Sequence, residues 1–284
     1  MLKSKKIIGF LTISILSLFL AVGCDKPNGI ASQRLANIKL GNPSQATPST
    51  QLTVSAAASL KNVLEEIQPI YEKNHLGTKI IYNFASSGSL QRQIEQGASV
   101  DVFISAAKSK MDELEEQNLL LTKTRQDLFA NQIVLITPLG NNKNQFHLKD
   151  FKDLTTKQID KVALGEPKSV PAGKYAQEVL DSFEISDRVN SQAIYAKDVR
   201  QIVNYVATGN VDAGIVYRTD AQVADNVEIV ATAPETSHSP VIYPIAVIKD
   251  SDRPKVAMEL VEFLNTPKAQ EVFEEYGFVT ISNK

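Results

Sequence analysis

The stretch Leu52-Thr-Val-Ser-Ala-Ala-Ala-Ser-Leu60 runs a short apolar strand into a turn of small residues. Behind it Leu60, Val63, Leu64, Ile67, Ile70 and Tyr71 recur at helical spacing. The same passage from strand through small residues into helix returns at Phe84-Ala-Ser-Ser-Gly88, Val170-Pro-Ala-Gly173 and Asp198-Val-Arg200. A helix start carries N–H groups with no partner inside the helix, together with the positive end of the helix dipole. Each junction is therefore a ready seat for an anion. No catalytic base and no set of metal-ligating residues stands near any of them. The combination reads as a protein that grips an oxyanion without transforming it.

Strand-like and helical runs alternate outward from these junctions, the signature of an α/β fold with a parallel sheet. Strands are expected at 52–56, 79–84, 100–104, 162–164, 193–195, 213–217 and 227–230. Helices are expected after Ser59, over 89–96 with Gly97 as stop, through Met111 and Leu114, over 172–183 and over 199–208. Pro69 inside the first helix predicts a kink or a relay. Thr266 as N-cap, Pro267 at the first helical position and Gly277 as stop delimit the last helix. Asn131-Gln-Ile-Val-Leu-Ile-Thr137 and Tyr243-Pro-Ile-Ala-Val-Ile248 read as crossovers between two halves. Gly97-Ala-Ser-Val-Asp-Val-Phe-Ile104 echoes Gly209-Asn-Val-Asp-Ala-Gly-Ile215, as halves of similar topology would. The expectation is two hinged lobes, 52–130 with 240–284 and 131–239, with the site beyond the carboxyl ends of the strands.

The first residues read as an export signal over 1–23. Lys3, Lys5 and Lys6 precede an apolar run, Ile7 to Leu20, that is short for a membrane span. It ends in Leu20-Ala-Val-Gly-Cys24, which resembles a lipobox, although Ala21 stands where leucine is most usual. Cys24 is the single cysteine of the chain, so no internal disulfide can form. An ordinary signal with an incidental cysteine is the alternative. Residues 24–51, with Pro27, Gly29, Gly41, Pro43 and Pro48 among Asn, Ser, Gln and Thr, have the composition of a flexible tether. Loss of the signal removes three lysines and takes the net charge from −2 to −5, 27 basic against 32 acidic residues. That balance argues against a nucleic-acid partner, and local dipoles must hold any anion against the overall field.

Taken in order, Ala56-Ala-Ala-Ser-Leu60, Phe84-Ala-Ser-Ser-Gly88, Asp101-Val-Phe-Ile-Ser-Ala106, Gly165-Glu-Pro167, Val170-Pro-Ala-Gly-Lys-Tyr-Ala176, Asp198-Val-Arg200, Gly214-Ile-Val-Tyr217 and Tyr276-Gly-Phe278 closely resemble the periplasmic molybdate-binding proteins of bacterial ABC importers. The likeness runs from about Leu52 to Phe278 and leaves the tether unmatched. It implies a two-lobed periplasmic-binding-protein fold of type II, each lobe a mostly parallel sheet flanked by helices, with two crossover strands as hinge. It also implies that Ser59 and Ser87 bind molybdate or tungstate through their hydroxyls, Ala172 and Val199 through their backbone amides, and Tyr217 through its phenol. The implied partners are the membrane permease and ATPase of the importer, with the membrane held through a lipid on Cys24. A monomer without a cofactor is expected. Gly88 departs from the family's usual serine, which should loosen that turn.

Elementary chemistry favours such a ligand. Molybdate is fully deprotonated at neutral pH and only accepts hydrogen bonds, so a site of hydroxyls and amides without carboxylates suits it. Monohydrogen phosphate would bury a proton without an acceptor, at a cost of about 1–3 kcal/mol. Sulfate matches in charge and shape and differs only in size. Each residue also has an ordinary reading. Ser59 can be an N-cap, Ser87 turn chemistry and Tyr217 the end of a buried strand, while Asp198 is best read as an N-cap balanced by Arg200 or Lys197. A serine-dependent enzyme is a rival, yet neither serine lies in Gly-x-Ser-x-Gly. His75, His147 and His238 are scattered in polar surroundings without metal-ligand spacing. A sulfate receptor, an anion-sensing module and an anchored structural protein complete the alternatives.

Overall fold

The computed structural model describes residues 50–140 and 148–281. The signal over 1–23, the lipidation at Cys24, the tether up to residue 49 and His147 lie outside the described residues. The elements, in chain order, are β1 (Thr50–Ala57), a 3-10 turn (Ala58–Leu60), α1 (Lys61–Asn74), β2 (Thr78–Ala85), α2 (Ser87–Glu95), β3 (Val102–Ile104), α3 (Lys108–Glu116), β4 (Gln126–Asn131) and β5 (Ile133–Pro138). There follow β6 (Val162–Gly165), α4 (Pro171–Ser182), α5 (Ser186–Asn190), β7 (Ala193–Ala196), α6 (Val199–Ala207), β8 (Ala213–Tyr217), α7 (Arg218–Gln222) and β9 (Val227–Thr232). The chain closes with β10 (Val241–Val247), α8 (Pro254–Leu264), α9 (Pro267–Glu275) and β11 (Val279–Thr280). β1 begins at Thr50, inside the stretch read as tether.

Two sheets result, in the orders β11-β4-β10-β3-β1-β2 and β7-β6-β8-β5-β9, so the molecule has the two-lobed α/β architecture. Both sheets are mixed. β1 pairs in parallel with β2 and β3, and β6 with β7 and β8. β10, β4 and β11 run antiparallel in the first sheet, as β5 does to β8 and β9 in the second. The parallel part of each sheet is the part connected through helices, and the antiparallel part is where the chain passes between sheets. The outward crossing is narrower than the sequence implied. Asn131 still belongs to β4 and Ile133 already to β5, leaving Gln132 alone between them. Tyr243–Ile248 lies with β10 in the first sheet, and the return crossing is the segment 233–240 ahead of it.

The inner strands β3, β5, β6, β8 and β10 are buried on both faces, which explains why they read as continuous apolar runs, whereas the edge strands β2, β7 and β9 are partly exposed. In β3, Val102 and Ile104 join the large core with Val63, Leu64 and Ile67 of α1, while Phe103 points into a second cluster with Leu90, Ile94, Met111 and Leu114. α1 runs unbroken through Pro69, which sits on the exposed face where the carbonyl robbed of its partner meets water. At α4 the helix start is pressed onto the end of β6: a Cβ on Gly173 would lie 2.1 Å from the Gly165 carbonyl oxygen. Only glycine permits that approach, which carries the free amides of α4 to the mouth of the sheet.

Candidate functional site

The parallel strands of both sheets point their carboxyl ends at one cavity. From the first sheet Ala57, Ala58 and Ser59 arrive behind β1, Ser86 and Ser87 behind β2, and Ala106 behind β3. From the second come Val170 ahead of α4, Pro171 and Ala172 in its first turn, Val199 at the start of α6, and Tyr217 at the end of β8. The structure thus gathers Ser59, Ser87, Ala172, Val199 and Tyr217 from positions far apart in the chain. The cavity volume between their atoms is only about 10 Å³, room for about one water-sized group and far too little for an organic cofactor.

The donors can be followed one at a time. Pro171 occupies the first position of α4 and has no N–H, so Ala172 offers the first free amide there. Asp198 caps α6, its carboxylate accepting the Gln201 amide at 2.9 Å, which turns the acidic oxygen into the helix and leaves the Val199 amide at the open end. Ser59 does not cap α1: its hydroxyl lies 3.0 Å from the Tyr243 hydroxyl. Ser87 does not cap α2 either. Its Oγ accepts the Ala106 amide at 2.9 Å, so its own proton is left for the cavity. Tyr217 is buried, and burial pushes its hydroxyl pKa well above the ordinary tyrosine value, so it stays a donor. That hydroxyl has no hydrogen-bond partner among the described residues. Among the described residues no carboxylate lines the cavity.

Contacts join the two sides of this cleft. The Gly88 amide donates to the Ser169 carbonyl at 3.0 Å, and Arg200 Nε donates to the Ala58 carbonyl at 3.2 Å. Gly88, which departs from the family's usual serine, sits at this contact. A Cβ there would meet the Ser169 oxygen at 2.7 Å, so the missing side chain is what lets the opposite lobe approach. Arg200 Nε also lies 2.9 Å from Asp220 Oδ1, an ion pair outside hydrogen-bond alignment because its N–H points at Ala58. Arg200 thus serves Asp220 where the sequence suggested it for Asp198. Asp220 is fully buried, and desolvation lifts its pKa to about 7 against the opposing pull of Arg200.

Sequence reasoning missed Ala106, Tyr243 and Asn131, which hold the two serine hydroxyls. No local pattern marks them, since each acts across the sheet. Among the described residues no group of three or more His, Cys, Asp or Glu could hold a metal ion. His75 stacks on Tyr71 with centroids 4.0 Å apart, and His238 is half-buried with its ring 6.1 Å from that of Tyr175; neither histidine lines the cavity.

Residues 52–279 match the family model of bacterial extracellular solute-binding proteins. A Bacillus subtilis (strain 168) relative with a provisional name, the ABC transporter substrate-binding lipoprotein YvgL, is 45% identical over 227 residues, covering 80% of this chain and 85% of its own. The molybdate-binding protein ModA of Escherichia coli (strain K12) is 37% identical over 230 residues, covering 80% and 88%. The solved periplasmic molybdate-binding protein of Azotobacter vinelandii shares the fold with a TM-score of 0.71 at 22% identity, over 81% of this chain and all of that one.

Proposed function

The chain belongs to the bacterial extracellular solute-binding proteins, and from that premise we propose that it captures molybdate, and tungstate equally, between its lobes and delivers it to an ABC importer. The observation that carries the reading is the buried Tyr217 hydroxyl without a partner among the described residues, in a cavity to which those residues bring donors and no carboxylate. Ser59, Ser87 and Tyr217 would donate through hydroxyls, and Ala172 and Val199 through backbone amides. Such a site suits a ligand that is all acceptor, and monohydrogen phosphate would bring a proton with nowhere to go. The relatives' names support molybdate as the anion and an importer as the destination. The body would be held at the outer face of the cell membrane by a lipid on Cys24, act as a monomer and release its ligand unchanged.

The test is thermal unfolding of the purified protein with molybdate, tungstate, sulfate, phosphate and nitrate. Ligand at a hundred times its dissociation constant adds about 2.7 kcal/mol of stability. A rise with molybdate and tungstate alone is the expected result. A rise with sulfate in their place keeps the receptor role and overturns the ligand. No shift with any anion refutes the proposal.

A further inference from the structure

Arg200 sits where two of the proposed donors meet. It follows Val199 at the start of α6, and the carbonyl it reaches belongs to Ala58, the residue ahead of Ser59 in the turn behind β1. α6 packs against that turn, so the contact joins a donor of one lobe to a donor of the other. The Nε of Arg200 carries one hydrogen and has two acceptors in reach, the Ala58 carbonyl at 3.2 Å and Asp220 Oδ1 at 2.9 Å. The hydrogen points at Ala58, and neither oxygen of Asp220 accepts a hydrogen bond among the described residues. That arrangement suits a neutral carboxyl, because an ionised one is the stronger acceptor and would draw the N–H to itself. Burial favours the neutral form and lifts the Asp220 pKa to about 7. The charged and titratable groups that face Asp220 are Arg200 and Asp198 on α6, Tyr217 on β8 and Tyr243 on β10. Of the other strands packed against α7, β5 carries none and β9 only the exposed Glu228. On α7 itself, Arg218 is engaged by Gln132 and Thr232.

We infer that Arg200 is a positioning residue that latches the two lobes over the ligand, and that Asp220 controls the latch by competing with Ala58 for the Arg200 Nε–H. The inference rests on the cavity being the anion site proposed above. The hydrogen bond to Ala58 exists only while the lobes are together, so it stabilises the closed state and with it any ligand that needs closure. With Asp220 protonated, the latch is made. With Asp220 ionised, the N–H turns back within its own lobe and the latch is given up. The closed protein therefore holds the Asp220 proton more tightly than the open one, and by linkage so does the protein with its anion bound. Affinity is greatest below the Asp220 pKa and falls as the pH rises through it. Neither residue lines the cavity, so the effect reaches the ligand through the placing of Val199 and Ser59.

The experiment measures dissociation constants and release rates for molybdate on either side of the Asp220 pKa, at pH values of about 6 and about 8.5, for the wild type, Asp220→Asn and Arg200→Lys. Molybdate is fully ionised at both, so the ligand itself does not titrate. The wild type should bind about threefold to tenfold more weakly at the higher pH, the effect of one hydrogen bond between the lobes, and release the anion correspondingly faster. Asp220→Asn cannot ionise. Its constant should change by less than about twofold between the two conditions and be tighter than that of the wild type at the higher pH. Arg200→Lys keeps the charge and loses the Nε–H. It should bind about threefold to tenfold more weakly than the wild type at the lower pH and respond to pH by less than about twofold. If Asp220 acted only by repelling the anion, the pH dependence would persist in Arg200→Lys. That result overturns the inference, as does a wild type whose affinity ignores pH, and both leave the anion site standing. Absence of molybdate binding in the wild type overturns the proposed function and this inference with it. Should Arg200→Lys fail to fold, Arg200→Met combined with Asp220→Asn leaves no charge unpaired. It must bind about threefold to tenfold more weakly than Asp220→Asn alone, and equal affinity overturns the inference.

Discussion

Replacing Tyr217 by phenylalanine should push the free and the liganded protein in opposite directions. The hydroxyl is buried without a hydrogen-bond partner among the described residues, and a group left so costs about 1–3 kcal/mol. Phenylalanine removes it and keeps the ring, whose edge contacts with Tyr175 and Tyr243 lie at centroid distances of 6.4 and 5.8 Å. The free protein should therefore gain about 1 kcal/mol, or roughly 2–4 °C in a body of this size. Binding loses a hydrogen bond to a charged acceptor, worth about 1.5–3 kcal/mol, which raises the dissociation constant about tenfold to a hundredfold. At a molybdate concentration a hundred times the wild-type constant, the ligand adds about 2.7 kcal/mol to the wild type. It adds only about 1.4 to 0.4 kcal/mol to the variant. The two melting curves should cross over, with the variant higher without ligand and lower with it. Calorimetric melts of both proteins with and without molybdate decide the matter. A variant less stable than wild type without ligand, or equally shifted by it, would refute the reasoning.

Ser87→Ala should do the reverse in the free protein. It leaves the buried Ala106 amide without its acceptor, so stability falls by about 1–3 kcal/mol in denaturant titration while molybdate binding also weakens. Gly88→Ala places a Cβ 2.7 Å from the Ser169 oxygen and disrupts the hydrogen bond that the residue 88 amide donates to Ser169 across the cleft. Its molybdate affinity should drop by about threefold or more, and small-angle scattering should show a larger radius at saturating ligand than for wild type. Asp220 introduces a pH dependence of unusual sign for a carboxyl group. Its folded pKa of about 7 lies above the ordinary 3.8, so the native state holds a proton that the unfolded chain has lost. Its contribution is complete below about 4 and is lost as the pH rises through about 7. Asp220→Asn should flatten that part of the stability profile, measured as denaturation midpoints across the same range.

Helix starts were legible in the sequence because a free first-turn amide is a local property. Pro171 ahead of Ala172 and Asp198 ahead of Val199 announce it within a few residues, and the strand runs before them announce where the helices are seated. The alternation of strands and helices likewise disclosed the α/β class and the need for two crossings. Tertiary structure alone decided how those amides meet. The partner of Ser59 lies 184 residues away on β10, and that partner's other neighbour, Asn131, lies on β4 beside it in the same sheet. Gly88 reads in sequence as a loosened turn, and only the approach of Ser169 reveals it as a contact between lobes. The physical reason is common to all three: a backbone donor is made by its own helix, whereas the partner of a hydroxyl, or the space left by a missing side chain, depends on which strands the sheet sets side by side and on which surface the other lobe brings to meet them.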